Sequence, residues 1–246
     1  MNFNILQNIN EKNIVLEPYP HIIIDNVFDD NTLQIMKSCF TDQNNKKKHS
    51  KDIEFDNNDK LEEVVKYFSS DKFHNILFTI FNKFLKVNVK KKPKFKLRET
   101  EQDGNVTFNL RFRNDLPKQQ KKMYTMFPKL KLVDNYLLEP HLDNKQEILN
   151  CLFYFKNDND NNEGGDLILY KNKLKKPKFF HKRFLNPSDL IEKKVITYKD
   201  NRLVVFYNNI KSIHSISYKD NSEYKRCVLN ITYELVKTNK NNDKII

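Results

Sequence analysis

The amino-acid sequence predicts a mainly β domain, an antiparallel barrel or sandwich with helices packed on one sheet. Three observations carry that prediction. From residue 94 onward, short segments rich in Val, Ile, Leu, Tyr and Phe alternate with Asn, Asp and Lys turns, and no helical period links them. Before residue 90, apolar residues recur instead at helical spacing. The third observation concerns glycine. The chain has only 3 Gly in 246 residues, yet two are adjacent, Gly164 and Gly165. A chain that turns on Asn, Asp and Lys uses glycine where the backbone needs φ > 0 or where another strand approaches closely.

Taken in order, Pro20–Phe28 (PHIIIDNVF) reads as a short apolar strand. Asp30 or Asn31 then caps a helix running to about Phe40. Residues 41–60, with Lys46, Lys47, Lys48 and His49, read as a polar loop. A second helix follows Asp59, where Leu61, Val64, Val65 and Phe68 stand at i, i+3, i+4 and i+7. A third begins near Ser70, its stripe formed by Phe73, Ile76, Leu77, Ile80, Phe81, Phe84 and Leu85. Aromatics at this spacing are core, and His74 at the edge of the stripe reads as half-exposed and structural. After Lys90-Lys91-Lys92 the expected strands are 94–100, 104–113, 130–138, 147–156, 166–171, 194–199, 202–208, 212–218 and 226–236. Short strands with short connections make a barrel or sandwich. One domain is expected over 1–246: a strand and helical support layer (1–90), a barrel core (91–236) and a polar tail (237–246).

Composition narrows the class. Apolar residues make up 38% and aromatics 12%, lean but sufficient for a core, so wholesale disorder is excluded. No run approaches 18 apolar residues, and the N-terminus has no basic start followed by an apolar stretch, so neither a membrane helix nor a secretory signal is expected. Cys39, Cys151 and Cys227 are odd in number and far apart, which fits reduced thiols in a cytoplasmic protein. The net charge of +12 would attract phosphates or acidic polymers. Saturation of the chain with Lys and Asn accounts for it equally without a nucleic-acid partner.

The chemistry centres on Pro140-His141-Leu142-Asp143. On an extended chain, residues i and i+2 share a face, so His141 and Asp143 can converge on one point. A second imidazole, His214, stands in another expected strand between apolar neighbours Ile213 and Ile216. Two imidazoles and one carboxylate on a β scaffold are the ligand set of non-haem Fe(II) oxygenases, with positions left open.

The order of features is also informative. His-x-Asp is followed by an apolar strand (Leu149–Phe155), by Glu163-Gly164-Gly165-Asp166-Leu167, by the distal His214, and by a basic residue opening the last strand. This resembles the 2-oxoglutarate/Fe(II)-dependent dioxygenase superfamily, and within it the prolyl-hydroxylase-like branch, over roughly residues 130–236 and in the opening Pro18–Phe28. The resemblance implies a double-stranded β-helix (jelly-roll, cupin-like) core with N-terminal helices packed on one sheet.

It also implies roles. His141, Asp143 and His214 match the iron-binding triad. Arg226, twelve residues after His214, matches the residue that pairs with the distal carboxylate of 2-oxoglutarate, across a slightly longer connection than the family pattern. Lys225 is the rival. Arg226 is preferred because its fork binds a carboxylate bidentately. It also opens the alternation Arg226, Val228, Asn230, Thr232, which suits a polar barrel interior, with Cys227, Leu229 and Ile231 outside. Tyr154 matches a tyrosine that helps hold the same carboxylate, and a plain core role fits it equally. Asn150, on the same strand face, is a further candidate for the pocket.

The implied activity is hydroxylation of an unactivated C–H, with O2 and 2-oxoglutarate consumed, succinate and CO2 released, and ascorbate an optional auxiliary. A protein or peptide substrate is favoured by the Gly-Gly-Asp-Leu pattern, and a small molecule is the alternative. Nucleic-acid demethylation would suit the charge, but that group carries a second arginine where this chain has Thr232. A non-catalytic barrel would have no use for iron ligands. The run Lys171–Arg183, with Phe179, Phe180 and His181, is either a solvated loop or a contact for an acidic substrate. His21 reads as structural, and Glu139 and Asp166 as solvent-facing turn residues.

Overall fold

The computed structural model describes residues 11–41, 71–81, 83–84, 94–95, 106–115, 136–144, 147–173, 185–219, 224 and 226–235. These residues form helices α1 (Asp30–Thr41) and α2 (Asp71–Phe81) and ten strands. The strands are β1 (His21–Asp25), β2 (Lys94–Phe95), β3 (Val106–Asp115), β4 (Tyr136–His141), β5 (Glu147–Phe155), β6 (Leu167–Asn172), β7 (Leu190–Ile196), β8 (Arg202–Tyr207), β9 (His214–Ser217) and β10 (Arg226–Leu235). They make a six-stranded sheet, β1-β8-β5-β10-β3-β2, and a four-stranded sheet, β4-β9-β6-β7. Pairing is antiparallel throughout, except between β2 and β3. From β4 onward the chain crosses repeatedly between the sheets, so that they face each other as a jelly-roll, the architecture expected from the sequence.

Strand parity decides which side chains meet. On β5, Leu149, Cys151, Phe153 and Phe155 point to the helices, as do Leu203 and Val205 of β8 and Leu229, Ile231 and Tyr233 of β10. There they meet Leu33 and Met36 of α1 and Phe73, Leu77, Ile80 and Phe81 of α2. Each such side chain taken wholly from water contributes about 2 kcal/mol before entropy is counted. The opposite parity, Leu152 and Tyr154, Val204 and Phe206, and Val228, fills the barrel against Leu167, Leu169, Ile196 and Tyr198. Period 2 thus supplies two cores from the same three strands.

Local chemistry sets the boundaries. Asp29 caps α1, its carboxylate accepting from Thr32 N at 2.8 Å, one residue before the expected cap. Asn201 adopts φ 54 in the β7–β8 turn, where a short amide side chain tolerates the left-handed region. Its side chain exchanges hydrogen bonds with Phe28, at 2.8 Å from the amide and 2.7 Å to the carbonyl.

Four expectations need correction. The strand expected at 194–199 runs instead over Leu190–Ile196, because Tyr198 N is drawn to the Asp166 carboxylate at 2.7 Å and the chain turns there. Asp166 is therefore a half-buried cross-link, not a solvent-facing turn residue. Glu139 lies in β4 and is 6% exposed, so it is buried as well. The strand expected at 130–138 extends to His141, and its part before 136 lies outside the described residues. The helix after Asp59, most of the loop at 41–60, Lys90–Lys92, Lys225, the tail at 237–246 and residues 174–184 of the basic run also lie outside them. So do the side chains of Cys39 and His74. Cys151 and Cys227 are free thiols, and burial pushes Cys151 far above the ordinary thiol range, which leaves it inert.

Candidate metal centre

His141 and His214 are directly opposed across the antiparallel β4–β9 pair. Opposed residues on one face stand within side-chain reach, and the two rings lie 4.4 Å apart. Asp143, just past the end of β4, comes back to the same face. Its Oδ1 lies 3.5 Å from His141 Nε2 and its Oδ2 3.4 Å from His214 Nε2. The three donor atoms fall within 4.8 Å of one another, and both histidines are buried. The residues singled out in the sequence are thus brought together by two strands and one turn.

The same local device orients both rings. His141 Nδ1 lies 2.8 Å from the Glu139 carbonyl, and His214 Nδ1 lies 2.9 Å from the Ser212 carbonyl. A carbonyl can only accept, so each Nδ1 carries the proton and each Nε2 presents a lone pair to the centre. The carboxylate is held too: Asn150, on the barrel-facing parity of β5, donates Nδ2 to Asp143 Oδ2 at 2.9 Å. Two neutral imidazole nitrogens and one carboxylate oxygen, all aimed at one point, fit a divalent transition metal.

The triad and Arg226 line the same cleft. Leu138, Leu152, Leu167, Phe206, Ile216 and Val228 give it an apolar part, with Asn150 and Asn230 also on the lining. Arg226 opens β10 on the inward parity, and is 2% exposed. Its Nε donates to the Gly165 carbonyl at 2.7 Å. Its guanidinium lies 5.0 Å from the Tyr154 ring centroid and 5.6 Å from that of Tyr198. A buried guanidinium on the lining of a cleft is chemically suited to receive a carboxylate.

Tyr154 packs beside Arg226, its hydroxyl buried without a well-aligned hydrogen bond. Burial raises its pKa, and the neighbouring Arg226 charge pulls partly in the other direction. The tyrosine is therefore a neutral donor. Tyr198 was not singled out in the sequence, since nothing in Thr197–Asp200 distinguishes it from a turn flank. It accepts from Cys227 N and donates to the Phe155 carbonyl, both at 2.9 Å, and so ties β10 to β5 under Arg226. Tyr19 was also missed. It is buried against Phe206, with ring centroids 6.0 Å apart, and its pKa is raised well above 10 by burial first and then by Asp143 and Tyr154. His21 is fully buried and holds the Tyr19 carbonyl through Nδ1 at 2.8 Å.

The glycine pair explains itself here. Gly164 has φ 89 and Gly165 has φ 76. Gly164 forms an isolated bridge with Lys219, and a Cβ on it would lie 1.9 Å from the Tyr218 carbonyl oxygen. A Cβ on Gly165 would lie 3.1 Å from Arg226 Cδ. Both readings of the pair, positive φ and close approach, are met together.

Comparison with known proteins agrees with this geometry. Residues 129–233 match the family model described as the 2OG-Fe(II) oxygenase superfamily. The fold is similar to a crystal structure of prolyl 4-hydroxylases from Phytophthora capsici, with TM-score 0.52 and 15% identity over 97% of this chain. This chain spans 64% of that protein's length. It is also similar to a Pseudomonas putida prolyl-4-hydroxylase, with TM-score 0.50 and 8% identity over 96% of this chain and 100% of the other. A search of curated proteins by sequence found no match. The matched span holds His141, Asp143, His214, the glycine turn and Arg226, so this part of the chain is similar to the 2OG-Fe(II) oxygenase superfamily, and its three convergent donors could hold a metal ion.

Proposed function

We propose that the chain is a prolyl-hydroxylase-like enzyme acting on a protein or peptide, with iron on His141, Asp143 and His214 and the distal carboxylate of 2-oxoglutarate on Arg226. The observation that carries this reading is that a buried guanidinium and three convergent metal donors line one cleft. Bound there, Fe(II) would supply the oxygen activation that couples decarboxylation of 2-oxoglutarate to hydroxylation of a C–H bond.

The chain's own residues have separable tasks in this reading. The Glu139 and Ser212 carbonyls hold the imidazoles as neutral donors. Asn150, on the lining of the cleft, steadies Asp143, and outer contacts of this kind are worth roughly 10- to 100-fold in metal affinity. Arg226 receives a carboxylate, with Tyr154 beside it as a neutral donor. The apolar part of the lining keeps water from the cleft. The two prolyl 4-hydroxylase neighbours favour a prolyl substrate over other metabolites.

The test is a mass screen of proline-containing peptides against small metabolites, with succinate release measured alongside. A gain of one oxygen on peptides, dependent on Fe(II) and 2-oxoglutarate and lost in His141→Ala, is the expected result. Gain on metabolites alone would overturn the peptidyl assignment. Ascorbate is expected to prolong turnover without being required for it.

A further inference from the structure

Beside Gly165, which Arg226 also contacts, lies a buried charge pair that the proposed chemistry does not use. Lys219 Nζ lies 2.9 Å from Asp160 Oδ1, and the two side chains are 4% and 0% exposed. A pair this deep gains little net stability, because desolvation offsets most of the attraction. The cost is higher still because Asp160 Oδ2 is buried with no hydrogen-bond partner among the described residues. An arrangement so expensive invites a reason other than stability.

Its position supplies one. Asp160 Oδ1 also accepts from Asn162 N at 3.2 Å and Asn162 Nδ2 at 3.4 Å, so one oxygen gathers the turn before the glycine pair. Lys156 Nζ closes that turn onto the Asn162 carbonyl at 3.1 Å. From the other side, Lys219 pairs through its backbone with Gly164. The stems of Lys219 and Arg226 both lie against Gly165, their Cδ atoms 3.4 and 3.1 Å from where a Cβ would stand. The Gly165 carbonyl in turn accepts from Arg226 Nε. Two cations thus cross one glycine. Asp160 takes the ammonium, and the guanidinium faces the cleft.

We infer that Lys219 and Asp160 are positioning residues for the co-substrate anchor: their ion pair fixes the 157–166 turn so that the Gly165 carbonyl aims Arg226 into the cleft. The inference rests on Arg226 being the carboxylate anchor. It predicts that breaking the pair weakens selection for the distal carboxylate of 2-oxoglutarate and leaves the metal end of the site alone.

The experiment is calorimetric titration of the metal-loaded full chain, without oxygen, using 2-oxoglutarate and 2-oxobutanoate. The second compound keeps the 2-oxo acid and lacks the distal carboxylate. Lys219→Met leaves a buried Asp160 charge and can unfold the chain, so Asp160→Asn/Lys219→Met, which removes both charges, is measured beside it. The expected result is at least a fivefold loss of 2-oxoglutarate affinity in the double variant, with 2-oxobutanoate and metal affinities unchanged. A purely structural role would lower both oxo acids together, and that result overturns the inference. So does retention of the full preference in the double variant. If the unsubstituted chain shows no preference for 2-oxoglutarate, the role given to Arg226 falls first and the inference with it.

Discussion

At the scale of single residues, the glycine pair is the sharpest link between sequence and site. Gly164→Ala would put a methyl group 1.9 Å from the Tyr218 carbonyl oxygen at φ 89. Left-handed strain alone costs about 1–3 kcal/mol, and backbone displacement at the Lys219 bridge adds to it. We expect a urea-unfolding loss of at least about 2 kcal/mol, and a loss under about 0.5 kcal/mol would contradict the close approach. The need for glycine here was legible because the chain otherwise avoids it, and His141 and Asp143 were legible through their spacing. Other parts of the site had no sequence signal. The Asn150–Asp143 bond and the packing of Tyr198 on Arg226 are distant in sequence, and only the folded register brings them together. Glu139 reads as polar and exposed on composition, and its burial follows from sharing β4 with His141.

At the scale of elements, alternation carried more information than boundaries did. The two faces of β10 follow from its alternation of residues, whereas β5 and β8 are apolar on both faces and only the fold assigns theirs. The end of β7 was not legible either, because the Asp166–Tyr198 bond that turns the chain joins residues 32 apart. The edge strand β1 shows a second such cross-link. Asp25 is the register partner of Arg202 on β8. Arg202 Nε reaches its carboxylate at 2.6 Å and Lys199 Nζ at 2.9 Å. These partners, Arg202 first, hold the Asp25 carboxyl at about 2 against an ordinary 3.8. Because the folded state favours the ionised form, this contribution is complete above about pH 4 and is lost as the pH falls through about 2. Asp25→Asn should therefore lower unfolding free energy at neutral pH, by no more than about 1 kcal/mol for so exposed a pair. Denaturation curves of the two proteins should converge between pH 4 and pH 2. A constant gap over that window would rule out the ion pair as its origin.

At the scale of the whole molecule, an antiparallel barrel or sandwich was predictable because many short strands with polar turns admit few other architectures, and the family resemblance narrowed it to a jelly-roll. The helical layer was predictable because α2 keeps its aromatic period, with Phe73, Leu77, Ile80 and Phe81 buried together. The net charge of +12 is not concentrated at the site, whose lining is half apolar and carries one guanidinium. Among the described residues no helix is long and apolar enough to cross a membrane.

The account makes the triad and Arg226 two parts of one site, and separate loss of the two ligands tests it most directly. Metal and 2-oxoglutarate affinities should be measured by anaerobic calorimetry for the unsubstituted chain, His214→Ala and Arg226→Gln. His214→Ala should lose metal binding and, with it, most 2-oxoglutarate binding. Arg226→Gln should keep its metal affinity within about threefold and lose 2-oxoglutarate affinity by roughly 10- to 100-fold, the worth of a charge-assisted pair. Undiminished 2-oxoglutarate affinity in Arg226→Gln, or undiminished metal affinity in His214→Ala, would contradict it.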